Sequence, residues 1–570
     1  MEQLHSILSG LALKLGRVAL GISAIFAWAY AISLVLPSCP TQEGGIIARL
    51  VTIPLGNAGV IAWGLLLTVA AWRIERSRIW SILAAAAAVF SSLLLGEPTL
   101  LAMLSALLLG LSYIESSRAC AETLALGVIV VEALTLIYLL VRAYGVKLPV
   151  PAAFPLHLSL YCIFTPLAPL VALAPSLSPL VSFMHRKRVE VEGGIKGKWA
   201  LAFGLIMSCL LWIVLYASEV NRAAKLIGVD SNTRYYPHAL QLLAEGFPSI
   251  LRVGYDRPLY YFLLYWLARS LGPHDAVRIL PLAALVLYTV ASYFTAKELM
   301  GERTAGLASL TAPLTYTVTA GLYGGLYANW TALSAALLAV TSAARWLKQG
   351  KWVWLVTYLV LLIVTAVTHV YMGAVFFTST FFSMTLCSLP KECRRRALVA
   401  LVAQLTLAAL GFYAADSFAH ALNFRPPSHV VSSLMRSWLN RVQKLQLFSP
   451  AWWRDYGYAI YNYAATAALD PTVWMFTFAG IAVVGFHRLS GFLLIPWLII
   501  VYILSFTAPF GLMWRALYNF PFSISEAIGI AALLTIIKSK VGRETTLLWL
   551  TAILLFKLNY TLAFAIGLAS

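Results

Sequence analysis

Residues 548–569 read LWLTAILLFKLNYTLAFAIGLA, and this run of apolar residues decides the fold class of the chain. At about 1.5 Å per residue, a helix over this segment spans roughly the 30 Å hydrocarbon core of a bilayer. The same pattern recurs at 59–72, GVIAWGLLLTVAAW, and through most of the remaining sequence. The sequence therefore predicts an all-α, polytopic membrane protein.

Composition excludes the soluble classes of protein. Hydrophobic residues make up 61% of the 570 positions and charged residues 11%, whereas a soluble domain carries about 25% charged residues. The mean hydropathy is +0.83. A net charge of +19 raises the question of nucleic acid, but no basic face interleaved with aromatic residues occurs. We expect membrane lipids, and no nucleic acid, among the partners.

The basic residues form short clusters between the apolar segments, which is the pattern of cytoplasmic loops. The clusters are 73–78, 185–198, 345–351, 391–396 and 538–543. With all of them in the cytoplasm the spans alternate consistently, and about 17 helices fit at roughly 20 residues per crossing. We expect the cell membrane of a prokaryote, with the site of activity facing outward.

The cluster HRKRVEVEGGIKGK at 185–198 predicts a cytoplasmic linker between two modules. The first, 1–184, holds about six helices, and the second, 199–570, holds about eleven. Two large loops of the second module, 218–275 and 416–470, fall on the non-cytoplasmic side and are expected to bear short amphipathic helices. Long polar loops on one side are where a site would be built.

In the first module, Glu132 is predicted to lie inside a span. An ionisable residue in that position indicates function by default. The alternative is a single buried glutamate with a structural role.

The sequence predicts two short helices in the first large loop. In one, polar residues recur every three or four positions beside an apolar face, which indicates a helix at the membrane surface; these are Arg234, His238, Gln241 and Glu245. The other runs from Pro258 to Ser270 and is ended by Gly272. Asp230 and Asp256 precede the two helices, either as helix caps or as catalytic carboxylates.

An ordered set of motifs follows in the same region. It comprises Asp230, DRPLYYFLLYWL at 256–267, Gly272, AVRILP at 276–281 and AKELMGERTAG at 296–306. The set resembles the membrane glycosyltransferases of the C-type fold, above all the protein O-mannosyltransferase and lipid A aminoarabinose transferase group. The resemblance covers about residues 199–345. It departs from the group at Ser231, where a second acid is usual, and in having Arg-Pro for Lys-Pro-Pro.

The resemblance implies transfer of a sugar from a polyprenyl-phosphate carrier to a glycan, lipid or protein acceptor outside the cytoplasm. Such chemistry needs a carboxylate to take the acceptor proton and cations to hold the leaving phosphate. Asp230 is the expected general base, with Asp256 secondary. The expected phosphate-binding residues are Arg257, Arg234, Arg515 and Arg278. Arg515 has an alternative role, which is to reach the bilayer interface.

Further polar residues fall on the same predicted side and are candidates for binding substrate. They are His369, Tyr236, His238, Asn329, Tyr327 and Trp453. Structural roles are the alternative for His369 and Asn329. Trp453 lies in WWRDYG at 452–457, which resembles the Trp-Trp-Asp-Tyr-Gly motif of the oligosaccharyltransferase catalytic subunit except for the inserted Arg454. The alternative is that this similarity arises by chance and indicates no shared function.

Two other functions compete with the transferase. One is a transporter or flippase of lipid-linked saccharides without catalysis, and the other is a non-catalytic membrane scaffold. No cofactor is required by the sequence, although Asp230 and Asp256 leave a shared divalent metal open. The six cysteines are scattered, which indicates neither a zinc site nor a disulfide framework.

Overall fold

A computed structural model describes most of the chain from residue 117 onward. The described residues are 117–144, 146, 168–184, 197–216, 234–246, 249–250, 256–421, 432, 436, 439–440, 449–450, 470–485, 488–507 and 515–567. All regular structure in these ranges is helical, as predicted. Asp230, Trp453 and most of the predicted N-terminal module and linker lie outside them.

The longer helices are numbered here in chain order. They are α1 (Ser117–Ala143), α2 (Ala168–Met184), α3 (Lys198–Tyr216), α4 (Tyr236–Glu245), α5 (Pro258–Leu271), α6 (Pro273–Met300), α7 (Glu302–Thr311), α8 (Tyr316–Gly324), α9 (Tyr327–Gln349), α10 (Trp352–Thr368), α11 (Val370–Cys387), α12 (Arg394–Ala421), α13 (Pro471–Val484), α14 (Arg488–Thr507), α15 (Phe522–Val541) and α16 (Arg543–Gly567). A single 3₁₀ turn, Ala312–Leu314, joins α7 to α8.

Eight of these helices, among the described residues, are long and apolar enough to cross a membrane. They are α1, α3, α6, α11, α12, α14, α15 and α16, each over most or all of its length. The helices α10 and α13 are apolar but shorter. These spans confirm a membrane-embedded protein, while the total of about 17 stays a prediction.

Helix α12 continues past the predicted start of the second large loop, through Asp416 to Ala421. The part of α12 that is long and apolar enough to cross a membrane ends at Ala414, so an external loop from 416 stays a prediction. The polar residues Asp416 and His420 lower the local hydropathy without interrupting the helix. The first helix-breaking residue is Pro426, which also disfavours helical backbone at the residue before it.

The chain divides into two compact units. One takes in 1–167 and 534–566, and the other takes in 168–533 and 567–570. The predicted modules divide near 185–198 instead, and their functional separation stays a prediction. Within the first unit, the Asn559 amide donates to the backbone oxygen and to Oε2 of Glu132, both at 2.7 Å. Glu132 is fully buried in α1, so this acid has a structural partner inside the span.

Small and hydroxyl-bearing residues bring the helices of the second unit together, as is usual in membranes. Ser208 and Thr289 join α3 to α6 at 2.9 Å, and Ser292 joins α6 to Ser523 at 2.8 Å. The closest approach is between α13 and α15. A Cβ added to Gly529 would lie 2.1 Å from the Phe476 backbone oxygen, so only glycine fits there.

The helices of the second unit have two chemically different ends. At one end, Glu298 of α6 binds Arg345 and Lys348 of α9 at 2.9 and 2.8 Å, and Arg396 of α12 donates to the Lys348 carbonyl at 2.8 Å. At the other end, the Val370 backbone N–H of α11 donates to the Asp256 carbonyl at 3.0 Å. The predicted cytoplasmic segments 345–351 and 391–396 thus lie at the opposite end of these helices from α4 and α5.

This polarity is testable by thiol labelling. We expect Glu245→Cys and Lys391→Cys, each in a background with the six native cysteines replaced, to react with a membrane-impermeant maleimide from opposite sides of sealed vesicles. Both positions are exposed, and a spanning helix separates the two ends. Labelling of both from the same side would contradict the arrangement.

The helix crossing at Gly529 gives a stability prediction. We expect Gly529→Leu to lower the midpoint of thermal unfolding by about 5 °C or more, because the side chain must displace the α13 backbone. Gly411→Leu is the matched control, since a Cβ at Gly411 of α12 meets nothing within 4 Å. Equal midpoints for the two variants would show that the crossing is not tight.

Candidate functional site

The site is built on the two short helices that the sequence predicts. Helix α5 starts at Pro258, whose missing N–H costs nothing in a first turn, and it ends at Gly272 with φ of 88°. Helix α4 ends at Gly246 with φ of 82°. Its buried side carries Ala239 and Leu242. His238 of α4 contacts Tyr261 of α5, whereas Gln241 bonds to Glu245 along the exposed side of α4.

One carboxylate and two guanidiniums form the centre of the site, here named the arginine cluster (Arg234, Asp256, Arg257). Nη2 of Arg234 donates to both carboxylate oxygens of Asp256, at 2.9 and 3.1 Å. Nε of Arg257 lies 3.3 Å from Oδ2 of the same carboxylate. Arg257 is only 3% exposed, and its Nη1 donates to the Tyr235 hydroxyl at 2.7 Å.

Asp256 is therefore not the cap of α5. The capping position belongs to Arg257, and no side-chain capping bond is made there. The Asp256 carboxylate instead balances one of two neighbouring positive charges. The arginine cluster keeps one unit of excess positive charge in a half-buried setting, where electrostatic attraction for an anion is stronger than in water.

The Tyr261 hydroxyl links Arg234, which precedes α4, to His238 of α4. It accepts a hydrogen bond from Nε of Arg234 at 3.1 Å and lies 2.8 Å from Nδ1 of His238. Burial raises the pKa of Tyr261 above its usual range, with the neighbouring arginines opposing, so the phenol keeps its proton. That proton is the one available to His238 Nδ1.

His369 occupies the junction between α10 and α11 and is buried. Its Nδ1 accepts the backbone N–H of Met372 at 3.2 Å. Burial holds the pKa of His369 well below its usual range, and the charges of Arg257, Arg234 and Arg515 lower it further. The ring is neutral with its proton on Nε2. The structure thus brings His369 and these three predicted phosphate-binding arginines into one electrostatic neighbourhood.

Arg515 lies in a short helical stretch, of which 515–517 are described, and a turn at 518–520 separates that stretch from α15, which starts at Phe522. Asn519 donates through Nδ2 to the Arg515 carbonyl at 3.0 Å. The same side chain accepts from Nδ2 of Asn329, the third residue of α9, at 3.3 Å. Through Asn519, Asn329 therefore holds the segment that carries Arg515 in place, which supports the structural alternative for Asn329.

A set of tyrosines connects the arginine cluster to the rest of the second unit. The Tyr235 ring stacks on the Tyr327 ring with centroids 5.9 Å apart, and the Tyr327 and Tyr216 hydroxyls are 2.7 Å apart. Arg278 donates to the Tyr216 carbonyl at the end of α3. The described contacts of Arg278 therefore serve a helix end, outside the arginine cluster.

Several of these phenols were not recognised from the sequence. The spacing of the polar residues puts Tyr235 on the apolar side of the predicted helix, yet its hydroxyl accepts a hydrogen bond from Nη1 of Arg257. The available signal was the pair of doublets, Tyr235–Tyr236 and Tyr260–Tyr261, which flank the two arginines in sequence. Tyr236 itself lies edge-on to His274 at 6.2 Å, and its described contact is with α6.

The site offers hydrogen-bond donors of the kind that bind oxyanions: guanidiniums and neutral imidazole N–H groups. Among the described residues, no three His, Cys, Asp or Glu side chains come together as a metal site. Asp230 lies outside those residues, so a metal shared with Asp256 stays a prediction. No protein-family model and no curated protein matches this chain.

Proposed function

We propose that the chain is a membrane glycosyltransferase that moves a sugar from a polyprenyl-phosphate carrier to an acceptor on the non-cytoplasmic side. The observation that carries the proposal is the arginine cluster, in which two guanidiniums share one carboxylate at the end of membrane helices. A prenyl-linked phosphate lies at that depth, since its tail is held in the bilayer. The motifs that resemble C-type transferases lie on the same helices.

The phosphate contacts would act on the leaving group. As the bond between the sugar and the phosphate oxygen breaks, negative charge builds on the phosphate, and Arg234 and Arg257 stabilise that charge. The Nε2–H group of neutral His369 adds a donor without adding repulsion between cations. The carboxylate of Asp256 fixes the direction of both arginines, so we assign it a positioning role.

Asp230 completes the reaction as the general base. It takes the proton from the acceptor hydroxyl while that oxygen forms its bond to the anomeric carbon. Only three residues lie between Asp230 and Arg234, which already belongs to the arginine cluster. This proximity in sequence, together with the family resemblance, supports the assignment.

The outer faces of α4 and α5 suit a lipid tail. Each helix carries residues of the site, but large apolar side chains on both helices are also exposed. The exposed apolar residues are Leu240, Leu243, Phe262, Leu263 and Trp266. In water such a surface would be costly. Against a bilayer it is favourable, and it gives a prenyl chain an apolar path to the arginine cluster.

The sidedness follows from the two ends of the second unit. The basic segments 345–351 and 391–396 lie opposite the arginine cluster, and basic loops remain in the cytoplasm. On this basis we place the site on the outer side of a prokaryotic cell membrane.

The role of Arg257 gives a kinetic prediction. We expect Arg257→Gln to reduce sugar transfer from a polyprenyl-phosphate donor by on the order of 100-fold or more, because a charged donor to the leaving phosphate is lost. The transfer rate of Arg257→Lys should lie between those of wild type and Arg257→Gln, since lysine keeps the positive charge but lacks the planar guanidinium that binds two oxygens at once.

Arg269→Gln on the same helix is the matched control for Arg257, because Arg269 is exposed, and it should transfer like wild type. Thermal unfolding checks that each variant is folded. Near-normal transfer by a folded Arg257→Gln would contradict a phosphate-binding role.

The role of Asp230 gives the sharpest prediction. We expect Asp230→Asn to be stable and inactive in transfer, because asparagine caps a helix about as well as aspartate but cannot take a proton. Asp275→Asn, at an exposed acid in the first turn of α6, should remain active. A flippase would show a different pattern: transport of the lipid-linked saccharide without sugar transfer in wild type, and unchanged transport in Asp230→Asn.

A further inference from the structure

At the end of the second unit opposite the arginine cluster, seven basic side chains lie on two turns and on the helix ends beside them. One turn joins α9 to α10 and the other joins α11 to α12, and the seven are here named the basic patch (Arg345, Lys348, Lys351, Lys391, Arg394, Arg395, Arg396). The acids among and beside them are Glu298 and Glu392. The two turns are distant in sequence, so the patch is a product of the fold.

Arg396 fixes the two turns to each other. Its Nη1 donates to the carbonyls of Leu347 and Lys348, both at 2.8 Å, at the end of α9. The Trp346 indole N–H donates back to the Arg396 carbonyl at 2.9 Å. Gly350 ends α9 with φ of 70°, and a Cβ there would lie 2.8 Å from Nε of Arg396. The patch therefore has a defined backbone shape.

The basic residues of the patch divide into two groups. Arg345 and Lys348 are engaged by Glu298, and Arg394 donates to the carbonyls of Ser388 and Leu389. Lys351, Lys391 and Arg395 are exposed, and within the described ranges their side chains make no ion pair or hydrogen bond. Three cations are thus presented outward from a rigid frame.

Large apolar side chains stand directly beside these cations. Trp352 follows Lys351 and is 66% exposed, and Leu389, two residues before Lys391, is 64% exposed. Tryptophan next to basic residues at the end of an apolar helix is typical of the bilayer interface. Nucleic acid and acidic proteins would leave both apolar side chains uncovered, whereas a lipid covers the apolar side chains and pairs with the cations.

We propose that the basic patch binds the phosphate headgroup of an anionic phospholipid, with Lys351, Lys391 and Arg395 contacting the headgroup and Trp352 and Leu389 contacting its acyl chains. This inference is independent of the proposed transferase activity. Its partner is a bulk lipid of the leaflet at that end. The phosphate attracts the cations, and the acyl chains give the site its preference for a lipid over a free phosphate.

Lipid retention tests the proposal on the full-length protein. Purified protein is equilibrated with phosphatidylglycerol or phosphatidylcholine, and bound lipid is counted by native mass spectrometry. We expect wild type to prefer phosphatidylglycerol. In Lys351→Gln/Arg395→Gln, the affinity for phosphatidylglycerol should fall roughly 30-fold. Each basic residue lost near the membrane surface accounts for about half of that effect on a free-energy scale. Trp352→Ala should weaken retention of phosphatidylglycerol while leaving the charge unchanged.

Arg269→Gln/Arg436→Gln is the matched control, because it removes two exposed cations outside the patch and should retain phosphatidylglycerol like wild type. Glycerol phosphate serves as the tail-free probe and should compete poorly. Three results would overturn the proposal: equal retention of the two lipids by wild type, undiminished phosphatidylglycerol retention by the folded patch variant, or displacement by glycerol phosphate at the affinity of the lipid.

Discussion

One carboxylate held between two guanidiniums organises the functional end of this protein. Arginine and aspartate are costly to place at the edge of a bilayer unless they are paired, and the pairing of Asp256 with Arg234 and Arg257 meets that cost. The same contacts determine how α4 and α5 approach each other. The backbone of Asp256 also accepts from Val370, so the junction of α10 and α11, with His369, is positioned by the same residue.

Much of this arrangement is predictable from the sequence, because it depends on signals that are local. Pro258 and Gly272 delimit α5, and the alternation of polar and apolar positions identifies α4. Hydropathy identifies the spans, and the clustering of basic residues identifies one end of them. The candidate arginines are recognisable because a charged side chain beside an apolar helix is costly unless it binds a partner or a ligand.

The sequence is less informative where a side chain's role depends on a distant partner. Asp256 looks equally like a helix cap and a catalytic acid until Arg234 is seen across from it. Tyr235 looks like part of an apolar face because its ring is buried, while its hydroxyl is in fact bound to Arg257. Arg278 resembles a phosphate ligand by its place in a motif, but it donates to the end of α3, which no local pattern shows.

The hydrogen-bond donors of the site have a consequence for turnover. Under the proposed function, the phosphate would meet the guanidiniums of Arg234 and Arg257 and the Nε2–H group of His369, all of which are donors. A sugar phosphodiester carries one negative charge, whereas the phosphomonoester left after cleavage carries close to two. A transferase site of the proposed kind would therefore hold the spent carrier more tightly than the loaded one. Release of that carrier, and not bond cleavage, is the step at which such a site would slow a catalytic cycle.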